Sequence, residues 1–164
     1  TPAQVFAVNL KGSYVASQEM VKRLLLLQKP GKIINVGSMT CFVGMYNVSA
    51  YAASKGGVLQ MTKAFSNELA EKGIQVNCIC PGYICIAAFR LRKRLITSLR
   101  YIDTPFTAAI REDQEYESFV LRRTPAKRWG TPEDLRGAVL FLASRASDFV
   151  SGSAIVVDGG MLGQ

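Results

Sequence analysis

The apolar positions change period along the chain, and the changes mark its elements. Residues 3–28 carry Val5, Val8, Val15, Met20 and Leu24 at intervals that predict an amphipathic helix. "KPGK" at 29–32 breaks it. "KIINVGS" at 32–38 is a short β-branched run, which predicts a strand buried on both faces, as in a parallel sheet. Val58, Met61, Phe65 and Leu69 lie three or four apart and predict a long helix over 50–72, closed by Gly73. "IQVNCIC" at 74–80 predicts a second buried strand, stopped by Pro81-Gly82. "TPEDL" at 131–135 is a helix start, with Thr131 as cap, Pro132 in the first turn and Asp134 where a capping box wants an acid. "SAIVVDGG" at 153–160 predicts a third strand running into a glycine turn.

Strand, long helix, strand, long helix, strand is the order of an α/β fold with a parallel sheet and right-handed crossovers. Ligands of such sheets bind beyond the carboxyl ends of the strands. Gly37-Ser38, Pro81-Gly82 and Asp158-Gly159 are therefore the places to look for chemistry.

Composition narrows the choice. The chain has 164 residues, 49% of them hydrophobic, enough for one domain with a core. It contains no histidine, which removes a Ser-His-Asp triad and a His-ligated metal. The cysteines Cys41, Cys78, Cys80 and Cys85 form no C-x-x-C pair, so no metal site is expected. Cys78 and Cys80 alternate in a strand and read as buried thiols, which suits a reducing cytoplasm. No apolar run approaches the roughly 18 residues of a membrane span, and "TPAQVFAVNLKG" does not read as a signal peptide. The net charge of +8 is concentrated in 85–102, where Arg90, Arg92, Lys93, Arg94 and Arg100 meet no acidic residue. One local run does not describe a nucleic-acid-binding surface, and neither nucleic acid nor membrane is expected as a partner.

"SAYAASKGG" at 49–57 carries the most specific chemistry. Tyr51 and Lys55 stand four apart, neighbours on a helix. A phenol with a pKa near 10 is a poor acid–base group at neutral pH, and a neighbouring ammonium lowers that pKa. Ala52, Ala53, Ser54, Gly56 and Gly57 leave room for a flat ligand against the helix. Ser38, at a strand end, offers a hydroxyl to a substrate carbonyl.

The set "VNLKG", "INVGS", "YAASKGG", "QVNCICPGYI" and "VVDGG" resembles the short-chain dehydrogenase/reductase family, in its order and spacing. The resemblance implies a Rossmann-like parallel sheet with flanking helices, and hydride transfer between a nicotinamide and an alcohol or ketone carbon. It implies catalytic roles for Asn9, Ser38, Tyr51 and Lys55. Tyr51 would be the acid/base, Lys55 would lower its pKa and hold the nicotinamide ribose, Ser38 would orient the carbonyl, and Asn9 would support a water in the proton relay. Pro81, Gly82 and Ile84 would line the nicotinamide together with Thr104. "RTPAKRWGTPEDLRG" and "FLASRASDFVSG" look like the gluconate and 2-deoxygluconate dehydrogenase branch, which implies a small sugar-acid substrate and NAD or NADP, with NAD favoured. Arg128 is a candidate for the substrate carboxylate, weighed against an exposed structural role. In relatives, helices like 3–28 and 50–72 build subunit interfaces, so a homo-oligomer, a homotetramer, is expected.

Two departures accompany the resemblance. The family's N-terminal βαβαβ half, with its glycine-rich phosphate turn, is not found in these residues, so the domain spanning 1–164 reads as incomplete and as a weak binder of dinucleotide. The residue that discriminates NAD from NADP belongs to that half. Further along, the family's P-G-x-x-x-T motif would put Ile86 at the threonine position. Deleting 85–102 puts Thr104 there, so that segment reads as an insertion. It is either a gene-model artefact or a basic amphipathic lid. The competing function is a non-enzymatic interaction protein that co-assembles with full-length subunits.

Overall fold

The computed structural model describes residues 1–84 and 114–163. The chain forms two compact units, Thr1–Pro81 with Gly137–Val156 and Gly82–Arg136 with Val157–Gln164.

The first unit opens on one continuous helix in three parts. Helix α1, Pro2–Phe6, is closed at its start by a capping box between Thr1 and Gln4. A π-helical turn, Ala7–Lys11, follows, and α2 runs on over Gly12–Leu26. The apolar spacing does not announce the π turn, because one wide turn barely shifts the period. Strand β1, Gly31–Val36, pairs in parallel with β2, Ile74–Pro81, in the register Ile33↔Val76 and Asn35↔Cys78. Strand β3, Ala154–Val157, completes the order β1-β2-β3. Helix α3, Ser49–Leu69, crosses from β1 to β2 and tightens into a 3-10 turn, Ala70–Lys72. It stops at Gly73, whose φ of +71° is a left-handed conformation that only glycine adopts without strain.

Two apolar clusters hold this unit. Val58, Leu59 and Met61 of α3 pack with Cys78 and Cys80 of β2, and Leu10, Cys41 and Phe65 lie against them. Ile33, Leu69, Ile74 and Val76 form the second cluster, closed by Val21 and Leu24 of α2. Each fully buried aliphatic side chain of this kind contributes about 1.5–3 kcal/mol. β1 departs from the expectation of a strand buried on both faces. Ile33 and Asn35 are buried, but Val36 is 56% exposed. The alternation follows from packing on one side only, against α3 and the root of α2. A buried polar chain sits within that packing: Ser17 donates to Asn35 (3.1 Å), Asn35 to Thr62 (3.0 Å), and Thr62 to the Val58 carbonyl (2.8 Å).

In the second unit, α4, Gln114–Arg123, ends at Thr124, whose hydroxyl donates to the Val120 carbonyl (2.8 Å). Tyr83 packs edge-on against both Tyr116 and Trp129. Helix α5, Pro132–Ala143, begins in this unit and starts as expected: Asp134 accepts from the Thr131 amide (2.7 Å) and the Thr131 hydroxyl (3.0 Å). The segment 85–102, expected to be an insertion, lies outside the described residues.

Candidate functional site

The carboxyl end of β1 and the first turns of α3 meet in the first unit. After Val36 the chain passes through Gly37 to Ser38, which is extended and starts a short 3-10 helix, Met39–Cys41. The Ser38 hydroxyl accepts from the Thr40 amide (3.2 Å), which leaves its own proton free to donate elsewhere. Ser38 stands near enough to the Tyr51 phenol to favour its ionisation. Lys55, one turn along α3, donates from Nζ to the Val36 carbonyl (2.8 Å) and stands 5.8 Å from the centre of the Tyr51 ring. The helix is thereby tied to the end of the strand, and Ser38, Tyr51 and Lys55 converge at one corner.

Asn9 belongs to the same unit but acts at one remove. It lies in the π turn, a distortion that recurs at functional sites. Its Nδ2 donates to Ser54 Oγ (3.1 Å), Ser54 donates to the Tyr51 carbonyl (2.7 Å), and Ser13 donates to the Asn9 carbonyl (2.7 Å). Asn9 thus braces the turn of α3 that carries Tyr51. Ser54, fully buried, is the intermediary. The sequence alone marks it only as a small residue and misses that role. A cavity of about 460 Å³ runs between α2 and β1, with Asn9, Ser13, Lys32 and Lys55 among its walls.

The electrostatics differ from the expectation in one respect. Burial pushes the Tyr51 phenol above its ordinary value of 10.0, Ser38 pulls it back, and any negative charge on Cys41 raises it again. Lys55 is not among the groups that move it. The reason is geometric: Nζ lies over the ring face and spends a proton on Val36, rather than meeting the phenol oxygen. Burial also pulls Lys55 below the usual lysine value, partly offset by the neighbouring thiols. Tyr51 remains 38% exposed, so water moderates its shift.

The remaining expected positions fall elsewhere. Pro81 is the last residue of β2. Gly82 belongs to the second unit, where its amide donates to the Val157 carbonyl (3.0 Å) and a side chain in its place would strike Asp158. Ile84 forms a parallel bridge with Gly130. Thr104 lies outside the described residues. Arg128 makes a two-pronged pair with Asp134, both bonds 2.8 Å, which favours the structural reading of that residue over a carboxylate-binding one. Among the described residues no group of His, Cys, Asp or Glu is arranged to hold a metal ion.

Residues 2–93 match the profile of the family described as short chain dehydrogenase. The chain belongs to that family. Residues 96–162 match a second profile, described as enoyl-(acyl carrier protein) reductase. Over 161 residues the chain is 41% identical to the 2-dehydro-3-deoxy-D-gluconate 5-dehydrogenase of Pseudoalteromonas atlantica, covering 98% of this chain and 56% of that one. It is 42% identical over 158 residues to the 5-keto-D-gluconate 5-reductase of Escherichia coli K12, covering 96% of this chain and 55% of the relative. Among solved structures, a gluconate 5-dehydrogenase from Burkholderia cenocepacia in complex with NADP and tartrate superposes with a TM-score of 0.83 at 34% identity, over 100% of this chain and 58% of that one. The chain has the α/β Rossmann-like fold that the family resemblance implied, with the parallel sheet that the strand order predicted. The chain spans just over half the length of these relatives.

Proposed function

We propose that this chain belongs to a nicotinamide-dependent oxidoreductase that interconverts an alcohol and a ketone on a sugar acid, at the carbon numbered 5 in the names of its relatives. The observation that carries the reading is the convergence of Ser38, Tyr51 and Lys55 at the end of β1. The donor set suits the cofactor: an ammonium for ribose hydroxyls, with a phenol and a hydroxyl beside it for a carbonyl oxygen. Bound nicotinamide supplies or accepts the hydride.

The chain's own residues manage the proton. Burial keeps the Tyr51 phenol protonated at neutral pH, so it is poised to give its proton to the carbonyl oxygen as that oxygen gains charge. Ser38 holds the same oxygen through its free proton. In the oxidising direction Tyr51 takes the proton back, while Lys55, tied to the Val36 carbonyl, is placed to hold the ribose hydroxyls. Asn9, through Ser54, keeps the first turn of α3 in place and supports a water in the relay. On the family resemblance Pro81, Gly82 and Ile84 would contact the nicotinamide, as would Thr104 if 85–102 is an insertion. NAD is the favoured cofactor from the branch resemblance, and the NADP in the Burkholderia enzyme makes NADP the direct competitor. Assembly into a cytoplasmic homotetramer through 3–28 and 50–72 belongs to the same proposal, supported by the exposed Val8, Tyr14 and Val15 on the first helix. No helix among the described residues is long and apolar enough to cross a membrane.

The test is an assay of the native polypeptide containing these residues against a panel of keto sugar acids with NADH and with NADPH. Consumption of one cofactor with C5-keto acids is expected; none with any sugar acid refutes the substrate class. The 164-residue chain alone, without the remaining length of its relatives, is expected to bind NADH more weakly than micromolar, and tighter binding contradicts that part of the proposal.

A further inference from the structure

Three cysteines from distant parts of the sequence meet beneath the catalytic corner. A methyl group built on Gly37 would lie 2.8 Å from the Cys78 sulfur, 2.9 Å from that of Cys80 and 3.0 Å from that of Cys41. The glycine is therefore what lets the three thiols close in under the loop, and all three are free. They are not equivalent. Cys78 and Cys80 are completely buried on β2, with their sulfurs 3.8 Å apart. Cys41, on the 3-10 turn after Ser38, is partly exposed. Its sulfur accepts from the Ser38 amide (3.4 Å), and its S–H donates to the Lys55 carbonyl (3.1 Å). Of its neighbours, Cys80 acts most strongly on the ionisation of Cys41.

We propose that Cys41 and Cys80 form an oxidisable dithiol pair, in which Cys41 is the thiol attacked by a hydroperoxide and Cys80 the thiol that resolves it into a disulfide. Access assigns the first role, since of the three only Cys41 reaches solvent. The Cys80 thiol, the Ser38 amide and the Lys55 charge outweigh burial and lower the Cys41 pKa, which eases loss of the proton it shares with the Lys55 carbonyl and favours the nucleophilic thiolate. Contact and geometry assign the second. Cys78 and Cys80 are two residues apart on one strand, which separates their β-carbons by about 6.6 Å, against about 3.8 Å across a disulfide. Bridging them would buckle β2. Cys41 approaches Cys80 from another segment and is free of that constraint. Cys80 holds its proton, its pKa pushed up by its two thiol neighbours, so it acts as a hydrogen-bond donor until Cys41 is oxidised.

The chemistry balances with the peroxide as oxidant. The Cys41 thiolate attacks the O–O bond; an S–O bond forms, O–O breaks, and the alkoxide leaves as the alcohol after taking a proton. Cys80 then attacks the sulfenic sulfur; S–S forms, S–O breaks, and the departing hydroxide takes the Cys80 proton as water. Two thiols lose two electrons, and the peroxide is reduced to alcohol and water. The disulfide withdraws the Cys41 sulfur from the Ser38 amide and the Lys55 carbonyl, so oxidation is felt at the loop that carries Ser38. This site stands independently of the proposed sugar-acid chemistry.

The experiment treats the purified native polypeptide containing these residues with one equivalent of hydrogen peroxide at neutral pH, then maps disulfides by tandem mass spectrometry without reduction. The same treatment is applied to a chain with Cys78→Ser and Cys85→Ser, and to one with Cys80→Ser and Cys85→Ser. A Cys41–Cys80 link is expected in the parent and the first variant, reversed by dithiothreitol, and only higher oxidation of Cys41 in the second. A Cys78–Cys80 link, or Cys41 proceeding to sulfinic acid in the parent chain, overturns the pair. Amide exchange at Ser38 is expected to accelerate at least about tenfold on oxidation and to recover on reduction; exchange unchanged by oxidation overturns the coupling to the loop.

Discussion

Lys55 and Arg128 are both cations with good partners, and they stand in opposite surroundings. Lys55 is half-buried, bonded to a strand-end carbonyl, beside a phenol that burial shifts and three thiols that shift one another and the lysine. Arg128 is an exposed guanidinium that gives two bonds to the Asp134 carboxylate and one to the Trp129 carbonyl, and Asp134 spends its remaining capacity on capping α5. The first corner draws its groups from several elements, so a change at Cys41 reaches both the phenol and the lysine. The second is a closed pair that water can replace. Burial and shared partners, rather than charge or bond length, separate a corner able to do chemistry from one that finishes a helix.

That contrast can be broken by mutation, beginning with the largest effect. Gly37→Val places branched carbons where three sulfurs already lie within 3.0 Å of a single added carbon. It is expected to cost about 3 kcal/mol or more in urea unfolding, and a cost under about 1 kcal/mol would mean the thiols yield freely. Asn35→Ala removes the middle of the Ser17–Asn35–Thr62 chain and strands buried hydroxyls, for an expected loss of about 2 kcal/mol by the same measurement. Ser38→Ala is expected to cost about 1 kcal/mol through the lost Thr40 amide bond, and it removes the group that pulls the phenol down, so ultraviolet titration should show Tyr51 ionising at still higher pH. The sign for stability follows: the folded chain holds the Tyr51 proton more tightly than the unfolded chain does, so folding weakens as pH rises past about 10. Arg128→Ala is expected to give the smallest thermal shift of the set. Asp134, held below the usual carboxylate range by Arg128 and the Thr131 amide, stabilises above pH about 4 and loses that contribution as pH falls through its folded value. A melting temperature that drops as far for Arg128→Ala as for Asn35→Ala would erase the distinction between the corners.

What could be read from the chain beforehand followed from periodicity and from single-residue conformational demands. The long α3, its stop at Gly73, the three strands and the start of α5 at Thr131-Pro132 each rest on local chemistry that a sequence displays directly. The Tyr51–Lys55 pair is legible for the same reason, being one helical turn apart. The rest depends on where separate segments meet. The π turn at Asn9 hides because a wide turn leaves the apolar stripe almost intact. Ser54 hides because a small residue beside a tyrosine looks like clearance rather than a bridge. Cys41 lies 37 residues before Cys78, and only the strand register that sets β1 against β2 brings it under Gly37. The expected lowering of the Tyr51 pKa by Lys55 missed for a related reason: spacing says that two side chains are neighbours, not which face of the ring the ammonium meets.

If the Tyr51 phenol carries the proton while Ser38 and Lys55 position the reacting groups, its hydroxyl is the atom whose loss matters most. Tyr51→Phe removes that hydroxyl and leaves the ring. The decisive quantity is kcat for reduction of a C5-keto sugar acid by the native polypeptide containing these residues, measured with and without the substitution. A fall of about 10²–10⁴ in kcat is expected, with KM little altered. Undiminished kcat in the phenylalanine variant would show that the proton travels by another route.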